Sequence, residues 1–181
     1  MENTHRASGI ERDGRLTPTT PMVATPTPEP RPRAQRQGDG WVHAWFNTAP
    51  DAWSVLAIVP ATPTFDATRA AAELAESGRS YGVADVALIN SVGVHADGIR
   101  GVIAACERRT AAGLKTIVAL ESPFANPAAI AIARSADAVL LVVPLGATRI
   151  VHARGTVDLV GRERFIGAVA IGADGRPHSE G

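Results

Sequence analysis

"LAIVPATPTFDATRAAAELAESG", Leu56 to Gly78, passes from a short run of large apolar residues through a proline- and threonine-rich turn into a stretch with apolar residues at helical spacing. A strand-length apolar run followed by an amphipathic helix is the first half of a strand–helix–strand unit. The same alternation continues outward from it. Short Val/Ile/Leu-rich runs at 54–59, 83–89, 115–121, 138–143 and 165–171 read as strands buried on both faces. Segments 66–77, 95–112, 126–136 and 148–163 are long enough for the helices between them. Asp66 and Asn126 suit helix N-caps, Pro127 suits a first helical position, and Gly78 and Gly113 suit helix ends. Five strands joined by four right-handed crossovers predict an α/β fold, a doubly wound and mainly parallel sheet with helices on both faces.

The 181 residues suffice for one domain, and 45% apolar content suffices for its core. Eighteen basic and eighteen acidic side chains cancel, so the chain as a whole has no electrostatic footprint for nucleic acid or an anionic membrane. The single Cys106 excludes an intrachain disulfide and a cysteine-based zinc site. His43, His95, His152 and His178 lack the spacing of a metal pair, and no metal is expected. Ser54, Ser91 and Ser122 lie outside any G-x-S-x-G elbow, which leaves a hydrolase without a nucleophile. No apolar run approaches the roughly 20 residues of a membrane span, and the polar start lacks a signal-peptide core. A cytoplasmic protein is expected. Lys115 is the only lysine beside seventeen arginines, so any mechanism that needs a lysine must use it.

Four regions follow from composition. Residues 1–40, with prolines at 18, 21, 26, 28, 30 and 32, read as a disordered Pro/Thr-rich tail. It is either a spacer or a polyproline ligand for a partner. Residues 41–53 carry all three tryptophans, and Trp41, Trp45, Phe46 and Trp53 suit either a helix packed across the sheet or a docking surface for a partner. Residues 54–172 form the α/β domain, and 173–181 read as a flexible C-terminus.

Ligands of a doubly wound sheet bind beyond the carboxyl ends of the strands, here "PATPTFDAT", "NSVGVHAD", "ESPFANP" and "PLGATR". Taken in order, these segments resemble those of the MinD/ParA-type P-loop ATPases. The closest likeness is to the cytoplasmic domain of bacterial tyrosine kinases that regulate exopolysaccharide chain length (CpsD/CapB-like). The family's loop resembles SxxPGEGKS, and "ATPTFDAT" keeps its proline, Pro63, and its final hydroxyl, Thr68. Its glycines and lysine fall on Thr64, Asp66 and Ala67. Such a loop needs glycine so that amides can curl around phosphate, and lysine to neutralise it. The family's DxD-like acids fall on Asn90 and Val92, and its IIDTPP-like strand end appears as Glu121, Ser122 and Pro123. "AIARSADAVLLVVPLGATR", with Asp137, Gly146 and Thr148, matches a segment that packs the family's fold.

The resemblance implies a P-loop NTPase-like, three-layer domain over about residues 54–172 with a vestigial nucleotide site. That site comprises Pro63, Thr64, Asp66, Ala67, Thr68, Asn90, Glu121, Ser122 and Pro123. Arg69 and Arg149 are candidates to replace the lost lysine's charge. The expected function is that of a pseudoenzyme without cofactor, working by protein–protein interaction in exopolysaccharide or capsule biosynthesis or export. Its implied partner is a membrane polysaccharide co-polymerase or export component at the inner face of the membrane. One alternative is an atypical ATPase or tyrosine-kinase-like enzyme holding ATP with magnesium weakly through Thr68 and Glu121. The other is a flavodoxin- or receiver-like signalling domain, against which stands the lack of the acids a receiver needs after its first strand. The family's tyrosine-rich tail is missing, since Tyr81 is the only tyrosine. Both a homo-oligomer and a monomer are compatible with the sequence.

Overall fold

The computed structural model describes residues 39–48, 53–81 and 85–178. The proline-rich segment 1–38 and residues 179–181 lie outside the described residues. The elements in chain order are α1 (Asp39–Thr48), β1 (Val55–Pro60), α2 (Thr68–Ser80), β2 (Val86–Asn90), α3 (Ile99–Ala111), β3 (Lys115–Ala119), α4 (Ala128–Ser135), β4 (Ala138–Pro144), α5 (Ile150–Val160) and β5 (Phe165–Ile171). The five strands form one sheet in the order β2-β3-β1-β4-β5, and every pairing is parallel. The three-layer α/β fold expected from the strand runs is present.

Burial explains why the strands were readable as apolar runs. Central β1 is buried at all six positions, because helices cover both its faces. Its even and odd residues go to different cores: Leu56 and Ile58 pack with α1 and α2, and Ala57 and Val59 with residues of α3, α4 and α5. Edge strand β5 is only partly covered, and Gly167 and Ala168 are exposed.

The tryptophans belong to the first of these cores. Trp41, Trp45 and Trp53 are 3%, 1% and 3% exposed, and Trp45 meets Trp53 edge to face at 5.9 Å. The expectation of a docking surface built on all four aromatics is therefore corrected: three are consumed in packing α1 against α2 and the sheet. Only Phe46 stays outside, against the exposed ring of Tyr81 at 5.5 Å.

Gly78 is corrected as well. It lies inside α2, which continues to Ser80, and a Cβ there would come within 2.7 Å of the Trp45 ring and 2.9 Å of Val86. Its absent side chain makes room for the indole. Alanine normally favours a helix over glycine by about 1 kcal/mol. We expect Gly78→Ala to reverse that sign and destabilise by about 1–3 kcal/mol in chemical denaturation, as overpacking does. Gly113 does stand just past its helix, in the left-handed conformation at φ +74°.

The C-terminal segment folds back on the sheet as far as it is described. Gly172 N–H donates to the Arg176 carbonyl at 2.8 Å, His178 N–H donates to Ala170, and Ile171 bridges Pro177 antiparallel. Residues 173–178 thus extend the domain beyond the boundary at 172 drawn from sequence.

Candidate functional site

The connection leaving β1 crosses toward the β2 edge, whereas those leaving its neighbours β3 and β4 run toward β5. The loop after β1 therefore sits at the switch point of the sheet, where a ligand crevice is expected. It is flanked by the loops after β2, β3 and β4. The sequence-predicted residues come to this one end, but they spend their polar groups on one another and on the backbone.

The β1–α2 loop is held at its start by Ala61 N–H, which donates to the Val142 carbonyl at 2.8 Å, and by a turn from Thr62 to Phe65. Pro63, Thr64 and Asp66 are exposed, Ala67 is fully buried and Thr68 is half-buried. No loop residue has a positive φ; among the described non-glycine residues only Asp85 does. An anion nest is made by alternating right- and left-handed residues, or by glycines that turn successive amides inward. This loop has neither feature. Asp66 instead places its carboxylate at the start of α2, accepting the Thr68 amide at 2.8 Å. A fixed negative group thus stands at the helix end that would otherwise attract phosphate.

The next two loops are closed by similar bonds. Asn90 Oδ1 accepts Val92 N–H at 3.0 Å and lies 3.5 Å from the Thr68 hydroxyl, a side-chain contact that joins the first two loops. Buried Ser91 donates from both its amide and its hydroxyl to the Ala119 carbonyl. Glu121 Oε2 accepts Asn126 Nδ2 at 2.6 Å, which makes its carboxylate a strut for the loop. Buried Ser122 accepts Ala125 and Asn126 N–H at its carbonyl, and Pro123 is buried beside it.

Asn126 does more than its sequence reading as an N-cap. Its Oδ1 accepts Ala128 N–H at 3.0 Å, as expected of a cap, while its Nδ2 also donates to the Val94 carbonyl at 2.9 Å. One side chain ties the β2–α3 loop, the β3–α4 loop and the start of α4. Nothing in the sequence marks Val94 as its acceptor, since the contact spans 32 residues.

The lysine is elsewhere. Lys115 begins β3, at the opposite end of the sheet, where its Nζ donates to the Trp53 carbonyl at 2.6 Å and lies 3.9 Å from the Trp53 ring centroid. Burial lowers its pKa, partly offset by Asp137. Arg69 lies against Gly175 of the C-terminal hairpin, with its guanidinium 3.4 Å from where a Cβ would stand. Arg149 is exposed ahead of α5. Asp137 also works at that opposite end, its Oδ2 accepting the Ser54 and Val55 amides at 2.8 Å and so fixing the entry to β1.

Among the described residues no group of three or more His, Cys, Asp and Glu side chains is placed to hold a metal, and no helix is long and apolar enough to cross a membrane. Cys106 is buried on the α3–α5 side, and that burial raises its pKa. Compared with known protein families, curated proteins and solved structures, the chain matches none.

Proposed function

We propose that the chain is a non-catalytic interaction protein built on a degenerate P-loop domain, similar to the cytoplasmic part of exopolysaccharide chain-length regulators. It works by docking onto a membrane-embedded co-polymerase or export component at the inner face of the membrane. The observation that carries the non-catalytic part is the β1–α2 loop, which lacks left-handed residues and carries the Asp66 carboxylate at the start of α2. The distance of Lys115 from that loop supports it, because the one lysine is committed to Trp53. The partner is inferred from the sequence resemblance, and the exposed Phe46–Tyr81 pair on the α1–α2 side offers it an aromatic contact.

Calorimetric titration of the whole chain with ATP and ADP, each with magnesium, tests this reading. We expect no saturable heat up to about 1 mM nucleotide, a limit corresponding to about 4 kcal/mol of binding free energy. Saturable binding that depends on magnesium and is lost in Glu121→Gln or Thr68→Ala would establish the atypical ATPase instead.

A further inference from the structure

The exposed apolar side chains are unevenly distributed. Of the eight large ones exposed among the described residues, Leu145, Ile150, Val151 and Leu159 belong to α5 or the turn before it, and Phe124 packs on α5 against His152 and Gly155. Leu145, Ile150 and Val151 are 44%, 73% and 62% exposed, the last two on consecutive residues in the first turn of α5. Solvating two adjacent β-branched side chains at a helix start is unfavourable unless something covers them.

We infer that this corner, the β4–α5 turn with the first turn of α5, is a contact site for an anionic lipid surface. The charge pattern favours that occupant. Net charge is zero for the whole chain, yet residues 138–157 contain no carboxylate while Arg149 and Arg154, both exposed, flank the apolar pair. Arginines around a protruding apolar tip match a headgroup layer, taking phosphate at the rim while the tip enters the acyl boundary. The helix surface argues against a flat helical partner, which would need an apolar stripe at i, i+3, i+4 and i+7. Beyond Val151 the exposed row reads Arg154 and Asp158 before Leu159, so the apolar part is a tip. The contact does not depend on the polysaccharide reading, and nucleotide binding does not enter it.

The test is flotation of the whole chain with phosphatidylcholine vesicles containing about 30 mol% phosphatidylglycerol, beside vesicles of phosphatidylcholine alone. A tip of this size binds more weakly than a myristoyl chain, so half-binding is expected on the order of 1 mM accessible lipid. Binding should fall as salt rises from about 0.1 to about 0.5 M. It should drop at least tenfold in both Ile150→Asp/Val151→Asp and Arg149→Glu/Arg154→Glu. These positions are exposed, and unchanged thermal unfolding checks the fold of each variant.

An environment-sensitive dye on a V151C thiol gives an independent readout, since the native Cys106 is buried. Its emission should shift to the blue with anionic vesicles. Absence of flotation at several times that lipid concentration overturns the inference. So does flotation that survives both double variants, or a dye that stays in water. A wild-type dimer that Ile150→Asp/Val151→Asp converts to monomer also overturns it, and assigns the corner to a second copy of the chain.

Discussion

Trp45→Ala is expected to lower the free energy of unfolding by about 3–5 kcal/mol, the range for deleting a fully buried aromatic. The indole is 1% exposed, stands edge to face with Trp53, and fills the space left open at Gly78. Its removal leaves a void bordered by α1, α2 and β2, where the neighbours are held by the sheet and cannot close in. Domains of this kind are stable by about 5–15 kcal/mol, so the loss would be visible as a large drop in denaturant midpoint. Phe46→Ala, one position along the same helix but exposed, should change stability by no more than about 0.5 kcal/mol. A loss below about 1 kcal/mol for Trp45→Ala would mean that α1 does not pack as described.

The second large effect is expected at Asn126. Asn126→Ala removes the side-chain acceptor of the first amide of α4, worth about 1 kcal/mol, and withdraws a donor from both Glu121 and the Val94 carbonyl. Together these predict a loss of about 2–3 kcal/mol. Asn126→Asp separates the contributions, because it keeps the cap oxygen but sets a second carboxylate against Glu121. Two carboxylates in contact raise the pKa of one of them above its value in the unfolded chain. The folded state of that variant then binds a proton more readily, so its stability should rise as pH falls through the raised value and be lost again above it. Denaturant midpoints at two pH values measure this directly. A variant insensitive to pH would show that Glu121 and residue 126 are not in contact.

These two residues show where sequence reading succeeds and where it stops. The strand runs were legible because parallel strands covered on both faces must be apolar at every position, as β1 is. Asp66 and Asn126 were legible as acceptors at helix starts because that bond is local, to the first helical amide two residues away, although the N-cap positions fall one residue later, on Ala67 and Pro127. The placement of the tryptophans was not legible. Aromatic content predicts that a surface will be covered without saying by what, and the cover at Trp45 includes Gly78, 33 residues further on. Gly78 was misread for the same reason: glycine near a helix end is usually a stop signal, and only the tertiary contact shows it as clearance. Asn126 was half legible, its acceptor oxygen set by local geometry and its donor nitrogen by two loops that meet only in the folded sheet. The chemistry of the β1–α2 loop was legible, since residues 61–67 hold neither glycine nor lysine. The backbone answer, a turn with no left-handed residue and a carboxylate at the head of α2, belongs to the folded structure.

The C-terminal hairpin gives the domain a closed outline. Pro177, carried back along β5, lies against Gly40 at the beginning of α1, within 3.0 Å of where a Cβ would stand. The two places at which further polypeptide joins the folded body are therefore neighbours, next to the carboxyl end of β5. Polypeptide entering before Gly40 and leaving after His178 therefore meets the folded body at the same corner, and the opposite end of the sheet, with Lys115 and Asp137, is left unencumbered.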